Sequence, residues 1–324
     1  MKLGVLTALY ADRPLEAVLD IARGAGLDCV EIGAGNYPGS SHCDVEALLG
    51  SATRRREYLS AFQSRGLEIS ALSCHGNPLH PSARVAVAHH KVYRRAVELA
   101  EKLEVPVVNL FSGCPGDSAR ALHPNWVTCA WPPDFQEVLA WQWNKKVIPY
   151  WKREAAFAAR HHVRLGFEMH PGFVVYNPAT LLRLREACGE SVGANFDPSH
   201  LFWQAIDIEV AIADLGRAGA LHHVHAKDTG IHAANAALNG VLDTTPMDQV
   251  GRRSWVFRTV GYGHGESAWK GIITALRLAG YEGAISIEHE DALFSVDEGF
   301  RKAVAFLRHV MPADPPLTNA WWAR

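Results

Sequence analysis

Three observations in the sequence predict an α/β fold, a (β/α)8 TIM barrel with insertions after strands 4 and 7. Short runs rich in Val, Ile and Leu alternate with longer helical patterns, which is typical of parallel strands joined by helices. Eight such units can be counted, the number that closes a barrel of about 250 residues. The segment after the first strand, TALYADRP, lacks the glycine-rich fingerprint of an open, doubly wound sheet.

The predicted elements are bounded by residues that begin or end helices. Pro14 suits a first helical turn, and Gly26, Gly66 and Gly280 follow predicted helices, where glycine supplies a left-handed cap. The predicted strands are 2–8, 28–33, 67–74, 106–111, 163–170, 192–196, 221–227 and 284–289, and the helices between them include 14–25, 82–103, 135–161, 178–188 and 268–279.

Residues beyond a minimal barrel fall in two loops and a tail. The insertions cover about 112–134 and 229–265, and the Pro-rich tail covers about 311–324. Both insertions follow strands, at the end of a barrel where loops build active sites. No linker, charge run or low-complexity tract interrupts the chain, so the sequence predicts a single domain over residues 1–324.

Composition excludes several classes of partner. Lys and Arg number 32 against 34 Asp and Glu, a formal charge of −2, so no general basic field is present and nucleic acid is not expected as a partner. No apolar run approaches the roughly 20 residues of a membrane helix, so no membrane association is expected. The six cysteines form no CxxC pair, which favours reduced thiols and a cytoplasmic location.

Acidic and imidazole side chains end four consecutive predicted strands. Glu168 and His170 share one face of strand 5, because side chains alternate along a strand. By the same alternation, Asp197 of strand 6, His225 of strand 7 and Glu288 of strand 8 point inward. Because these strand ends meet at one mouth of a barrel, the side chains are expected to cluster there.

Such a cluster needs a cation, since buried carboxylates repel one another and resist loss of water. Three carboxylates and one imidazole suit Mn²⁺, with Mg²⁺, Co²⁺ or Zn²⁺ as alternatives. The sequence therefore predicts one divalent metal bound by Glu168, Asp197, His225 and Glu288.

The motifs GFEMH, NFDPSH, HVHAKD and SIEHED, on eight βα units, resemble the xylose-isomerase-like TIM-barrel superfamily, specifically its sugar phosphate isomerase/epimerase family. The resemblance implies the same four metal ligands and a substrate contact by His200. It also implies that Glu168 and Glu288 are catalytic: one removes a proton next to a sugar carbonyl and the other returns it, through a metal-stabilised enediolate. The expected activity is a divalent-metal-dependent sugar isomerase or epimerase.

One departure from the family pattern indicates an alternative. The typical epimerase has an Arg shortly after the strand-7 His, whereas here Lys227 is followed by an insertion that could return Arg258 or His264 to the site. With His170 beside Glu168, the chain also resembles the catalytic subunits of C-glycoside deglycosidases. Those lyases cleave 3-oxo-glucosides by enolisation and β-elimination, which implies a catalytic His170 and a small β-rich partner subunit.

Further candidates for contact with a small-molecule sugar or glycoside lie near the predicted strand ends. His75 and Asn77 follow strand 3, with a loop cap as an equal alternative, and Trp203 follows His200 and could stack on a sugar ring. Lys227 lies on the inner face of strand 7.

Two other classes of function are weighed against these. A metal-dependent endonuclease is disfavoured by the charge of −2. A non-catalytic sugar-binding barrel is disfavoured by the acid–base pair of Glu168 and Glu288. Aromatic residues in the first insertion favour a homo-oligomer, or a hetero-oligomer with the β-rich subunit under the lyase hypothesis.

Overall fold

Eight parallel strands close into a barrel in the computed structural model, which describes residues 1–314. Around the barrel the order is β1-β2-β3-β4-β5-β6-β7-β10, with β10 beside β1, so the predicted TIM barrel is confirmed. Residues 315–324 of the predicted tail lie outside the described residues. The barrel strands are β1 Lys2–Leu6, β2 Cys29–Gly33, β3 Glu68–Ser73, β4 Val107–Leu110, β5 Arg164–Glu168, β6 Val192–Phe196, β7 Leu221–Ala226 and β10 Ala284–Ile287.

Helices surround the barrel. Within residues 1–314 no helix is both long and apolar enough to cross a membrane. The α-helices of this part of the chain are α1 Leu15–Gly24, α2 Val45–Gly50, α3 Ala52–Gln63, α4 Ala83–Leu103, α5 Pro133–Trp141, α6 Ile148–Arg160, α7 Pro178–Cys188, α8 Pro198–Phe202, α9 Ile208–Arg217, α10 Ala233–Asn239, α11 Glu266–Leu278 and α12 Val296–Val310.

Strand β5 shows how alternation divides the barrel wall. Leu165 and Phe167 are fully buried, and Phe167 packs edge-to-face on Trp151 of α6, with ring centroids 4.6 Å apart. Gly166 lies between them, at a position where a Cβ would come within 2.3 Å of the Asn109 side-chain oxygen. The strand therefore presents apolar side chains to the helices and leaves its other face to the polar residues inside the barrel.

The segment between β4 and α5 is irregular but anchored. Residues 112–132 form no helix or strand. The chain between α5 and α6 forms a π-helical turn, Gln142–Val147, whereas the sequence predicts one continuous helix over 135–161. The buried Gln142 side chain donates hydrogen bonds of 3.3, 3.0 and 2.7 Å to the carbonyls of Pro115, Gly116 and Asn125. The turn therefore fixes the loop to the helical layer.

The segment between β7 and α11 carries a two-stranded hairpin. Strands β8, Asp228–Ile231, and β9, Trp255–Arg258, pair antiparallel, with Asp228 opposite Arg258. The buried Asp228 carboxylate accepts hydrogen bonds of 2.9–3.2 Å from the amides of Gly261, Gly263 and His264 and from Trp269 Nε1. A single acid thereby holds the end of this segment against α11.

A buried histidine at the other end of β7 predicts sensitivity to acid. His222 Nδ1 donates to the Leu165 carbonyl at 3.0 Å, and burial lowers its pKa to about 4. In the unfolded chain the His222 imidazole binds a second proton near pH 6.5, whereas in the folded chain it does so only near pH 4. The neutral His222 ring therefore contributes fully to the free energy of unfolding above pH 6.5, and this contribution is lost as pH falls toward 4.

His222→Asn keeps a donor for that carbonyl but does not titrate. We expect the free energy of unfolding of the wild type to fall, relative to the variant, by about 3 kcal/mol between pH 7 and pH 4. Urea unfolding at several pH values measures this difference. If the free energies of unfolding of the two proteins changed with pH in parallel, the lowered pKa of His222 would be contradicted.

Candidate functional site

The four predicted metal ligands converge at the carboxyl-terminal mouth of the barrel. Glu168 ends β5, Asp197 follows β6, His225 lies in β7 and Glu288 follows β10. One ligand atom from each residue lies within 4.8 Å of the other three. Glu168, Asp197 and His225 are buried, whereas the Glu288 side chain is 17% exposed. Carboxylates that are distant in sequence are thus brought into one group.

Imidazole groups surround the Glu168 carboxylate. His200 Nε2 lies 3.0 Å from Oε1, while His75 Nε2 and His225 Nδ1 lie 3.0 and 3.3 Å from Oε2. Burial opposes ionisation of Glu168, but the charge of His75 and hydrogen bonds from His200 and His225 hold its pKa well below the ordinary value. The group is therefore a carboxylate, oriented by its neighbours.

His200 also contacts a second ligand. Its Nε2 lies 3.2 Å from Asp197 Oδ2. Burial lowers the pKa of His200, but Asp197 outweighs it and raises the pKa to about 9. His200 is thus a cation between two carboxylates at neutral pH.

Lys227 is the second cation of the cluster. Its Nζ lies 3.0 Å from Glu288 Oε2 and 3.1 Å from both Asp197 Oδ2 and Glu290 Oε2. The ammonium also lies 4.6 Å from the centre of the Phe257 ring. Burial opposes its charge, but Asp197, Glu288 and Glu290 raise the pKa of Lys227 well above the ordinary value. Lys227 therefore contacts the proposed ligands directly.

The donor set fits a divalent cation. Asp197 Oδ2 is buried and receives no well-aligned hydrogen bond from residues 1–314, although Lys227 and His200 lie near it. An acceptor of this kind is costly unless a cation or donor satisfies it. Three carboxylates and one imidazole match the preferences of Mn²⁺ and its neighbours among divalent ions. These residues could bind a metal.

His170 lies beside this group, two residues beyond the end of β5. Its ring centre is 4.1 Å from that of His200 and 4.8 Å from that of Phe111. His170 Nδ1 lies 2.6 Å from the Pro171 carbonyl, which accepts a hydrogen bond from it. Burial lowers the pKa of His170 to about 3, so the ring is neutral and Nε2 carries a free lone pair. A neutral imidazole in this position can accept a proton.

A cavity of about 670 Å³ opens onto these residues. Its wall includes His75, His170, Glu168 and Glu288, and among the described residues that line it there is no lysine or arginine. The remainder of the wall is largely apolar and aromatic, from Leu6, Leu9, Tyr37, Phe111 and Phe173. The Phe111 and Phe173 rings stack with centroids 4.3 Å apart. The cavity therefore combines an acidic end with an aromatic side that was not predicted.

Asn77 and Trp203, two predicted substrate-binding residues, make contacts with other parts of the protein. The Asn77 side chain donates to the Cys114 carbonyl at 3.0 Å and accepts from the Leu79 and Cys114 amides. Trp203 stacks on Trp255 with ring centroids 4.7 Å apart. Neither lines the cavity, so their predicted contact with substrate has no counterpart in this arrangement.

The insertion after β7 does not return Arg258 or His264 to the cavity lining. Arg258 Nε donates to Asp291 Oδ2 at 3.1 Å. His264 stacks on Phe202, with ring centroids 3.6 Å apart, and its Nδ1 lies 2.8 Å from Asp228 Oδ1. Both groups are instead used to hold the insertion in place.

Glu31 is not among the predicted metal ligands or catalytic residues; the sequence predicts only that it ends strand 2 and could face the sugar, with a loop cap as an equal alternative. It is fully buried in β2, and its Oε2 lies 2.9 Å from His225 Nε2, on the side of the ring away from Glu288. The signal in the sequence is a lone acid inside an otherwise apolar strand, CVEIG. An acid in that position is costly to bury without a partner.

Comparison with known proteins agrees with this architecture. Residues 19–310 match the family described as Xylose isomerase-like TIM barrel. The chain is 36% identical over 314 residues to the uncharacterized protein YfiH of Bacillus subtilis (strain 168), covering 96% of this chain and 99% of that protein.

Two solved structures are similar in fold. One is the probable 3-DHS dehydratase AsbF of Bacillus anthracis, with a TM-score of 0.66, 16% identity and coverage of 95% of this chain and 99% of that chain. The other is the 3-keto-D-glucoside 4-epimerase YcjR of E. coli, with a TM-score of 0.63, 14% identity and the same two coverages. From its sequence match, the chain belongs to the Xylose isomerase-like TIM barrel family.

Proposed function

We propose that this protein is a divalent-metal-dependent sugar isomerase or epimerase that moves a proton next to a carbonyl group. The observation that carries the proposal is the presence of two carboxylates, Glu168 and Glu288, in one ligand group at the wall of the cavity. Such a pair can remove a proton at one position and return it at another. The fold shared with a 3-keto-D-glucoside 4-epimerase supports the same chemistry.

Glu168, Asp197, His225 and Glu288 would hold the metal, and their oxygen-rich donor set favours Mn²⁺. When bound, the metal would supply a Lewis acid that polarises the substrate carbonyl. Glu168 accepts the proton: His200 Nε2 and Asn195 Nδ2 contact its Oε1 and Oε2 at 3.0 and 3.2 Å, and its pKa, held well below the ordinary value, keeps it ionised. His200 is not in the described cavity lining, so its predicted contact with substrate has no counterpart in this arrangement. As a cation, it orients the Glu168 and Asp197 carboxylates, which lie 3.0 and 3.2 Å from its Nε2. Glu288 faces the cavity from β10 and can return the proton.

The cavity favours an uncharged substrate. Its described lining has carboxylates but no lysine or arginine, and Lys227 is already paired with Asp197, Glu288 and Glu290. A phosphate would therefore lie among carboxylates, with no lysine or arginine of the described lining to pair with it. We propose free sugars or neutral glycosides as substrates.

The proposal is tested by incubating Mn²⁺-loaded protein in D₂O with free ketohexoses and, separately, with a 3-oxo-glucoside. Deuterium incorporated at C3 or C1 of the ketose, or at C2 of an aldose product, with no fragment released, is the expected result for an isomerase or epimerase. Release of an aglycone from the glucoside would favour a lyase. Sugar binding with neither exchange nor release would contradict an enzymatic function.

A lyase is the second candidate, because a neutral His170 lies beside the proposed ligands and faces the aromatic side of the cavity. A base there could take the proton that precedes elimination of a leaving group. The shared fold with a probable dehydratase is compatible with this chemistry.

His170→Ala separates the two candidates. A lyase that uses His170 as its base is expected to lose about 10²–10⁴-fold in kcat/KM for aglycone release. An isomerase that relies on Glu168 and Glu288 is expected to lose less than about tenfold in deuterium exchange, since His170 would contribute only to binding. His162→Ala, at an exposed position, is the matched control and should change neither rate. A large loss of ketose exchange in His170→Ala would contradict the isomerase mechanism.

We also propose that the protein assembles into oligomers in the cytoplasm. Leu122 and Trp131 of the segment after β4 are 75% and 77% exposed, and apolar side chains of this kind favour subunit contacts. Light scattering coupled to gel filtration would report a single-subunit mass of 35.5 kDa if this were wrong. A second, β-rich subunit is expected only under the lyase hypothesis.

A further inference from the structure

We infer that Glu31 is a positioning residue that fixes the His225 imidazole so that its Nδ1 faces the metal. The inference rests on the metal site of the proposed function. His225 Nε2 lies 2.9 Å from Glu31 Oε2 and 3.0 Å from Glu31 Oε1. The opposite ring nitrogen, Nδ1, lies 3.0 Å from Glu288 Oε2 and 3.3 Å from Glu168 Oε2. Only Nδ1 is therefore directed at the other proposed ligands.

The Glu31 carboxylate is itself held in place. Its Oε1 accepts hydrogen bonds from Ser73 Oγ and, at 2.8 Å, from Asn109 Nδ2, and the side chain is fully buried. The Asn109 side chain packs over Gly166, where a Cβ would lie 2.3 Å from Asn109 Oδ1. Polar side chains from β2, β3 and β4 thus form one buried layer, packed against Gly166 of β5. A carboxylate held in this way offers His225 a fixed acceptor.

The geometry selects one tautomer of the bound imidazole. An ionised carboxylate only accepts hydrogen bonds, so the contact with Glu31 requires a proton on Nε2. An imidazole that binds a metal through one nitrogen carries its proton on the other, and a carboxylate there also orients the ring. Asn195 Nδ2 lies 3.2 Å from Nε2 and 3.3 Å from Nδ1, so Asn195 does not distinguish the two nitrogens. Glu31 makes the distinction.

A competing role for Glu31 is that of a metal ligand. Glu31, His223 and His225 offer atoms within 4.8 Å of one another. However, His223 Nε2 is 3.8 Å from Glu31 Oε2, and His223 Nδ1 is already 3.0 Å from Asn195 Oδ1. Ser73 and Asn109 donate hydrogen bonds to Glu31 Oε1, and His225 contacts Oε2. These contacts are those expected of a residue that orients His225, because both oxygens already have partners. The two roles differ in the number of ions bound.

The first experiment measures Mn²⁺ binding to metal-free protein by titration calorimetry and by the electron paramagnetic resonance of free Mn²⁺. Glu31→Gln keeps the size of the side chain but removes the charge that orients the ring. We expect one ion per chain in the wild type and a Kd about 10–100-fold weaker in Glu31→Gln. Ser73→Ala is the matched control: it removes a partner of Glu31 but leaves the contact with His225, and its Kd should change less than about threefold.

The outcomes separate this inference from the proposed function. Wild-type protein that binds no Mn²⁺ would overturn both. If the wild type binds Mn²⁺ and Glu31→Gln binds it with an equal Kd, the inference alone is overturned. The same holds if the wild type binds two ions and Glu31→Gln binds only one. Equal losses of affinity in Glu31→Gln and Ser73→Ala, matched by equal drops in Tm, would indicate a merely structural role and would also overturn it.

A second measurement needs no variant of Glu31. In wild-type protein labelled with ¹⁵N-histidine and loaded with Zn²⁺, long-range ¹H–¹⁵N spectra report which nitrogen of each ring is protonated. The His225 signals are assigned by their absence from His225→Asn. We expect a proton on Nε2 and a metal-shifted Nδ1. A proton on Nδ1 with the metal on Nε2 would overturn the inference even if Glu31→Gln did not fold.

Discussion

Replacing Glu168 with Gln is expected to lower the rate of proton exchange by about 10²–10⁴-fold while changing sugar affinity far less. The amide has the same shape as the carboxylate and can still meet His75 and His200, which lie 3.0 Å from the two carboxylate oxygens. It cannot accept a proton from carbon. The loss should therefore appear in the chemical step rather than in binding.

Deuterium incorporation into the sugar, followed by NMR in D₂O with saturating Mn²⁺, gives the exchange rate, and calorimetry gives the sugar Kd. Glu290→Gln is the matched control, because Glu290 also lines the cavity and contacts Lys227 but is not among the four grouped ligands. Its exchange rate should stay within about tenfold of the wild type. Exchange retained in Glu168→Gln would show that another group is the base.

Replacing Lys227 with Met is expected to cost the metal-free protein about 3–5 kcal/mol in free energy of unfolding. Lys227 Nζ contacts Asp197 and Glu288, and without it these carboxylates stay buried with less compensating charge. Removing one partner of a buried ion pair is costly because the other remains desolvated. Mn²⁺ should restore part of the loss, since a divalent ion supplies the missing positive charge.

Urea unfolding with EDTA and with Mn²⁺ measures both effects. The stabilisation by Mn²⁺ should be larger in Lys227→Met than in the wild type. Lys302→Met is the control: its ammonium contacts the Tyr262 hydroxyl at 3.0 Å on the surface, and its loss should cost less than about 1 kcal/mol. Equal stability losses in the two variants would contradict the role given to Lys227.

The parts of the site that could be predicted from the sequence are those that depend on local alternation. Glu168 and Phe167 face opposite sides of β5 because of the strand's two-residue period, and that period is visible in the sequence. The closure of the barrel then brings Glu168 to Asp197, His225 and Glu288. Residue type and strand count were therefore enough to predict this grouping.

Contacts that depend on distant residues could not be predicted in this way. Glu31 and His225 are 194 positions apart, and nothing in either local pattern indicates that they meet. Arg258 was predicted near the substrate, but the antiparallel register of β8 and β9 places it opposite Asp228, and its side chain pairs with Asp291. The path of an insertion is set by such tertiary pairs, which composition does not reveal.

The anchor at the π-helical turn has a consequence for engineering. Gln142 recognises only main-chain carbonyls of Pro115, Gly116 and Asn125, so it constrains the backbone path of this loop without constraining the identity of most side chains along it. Libraries that randomise the exposed positions 117–120 and 122–124 while keeping Gln142 would explore new surface chemistry near the rim at little risk to folding. The same independence leaves natural variants free to diverge there while the scaffold below stays unchanged.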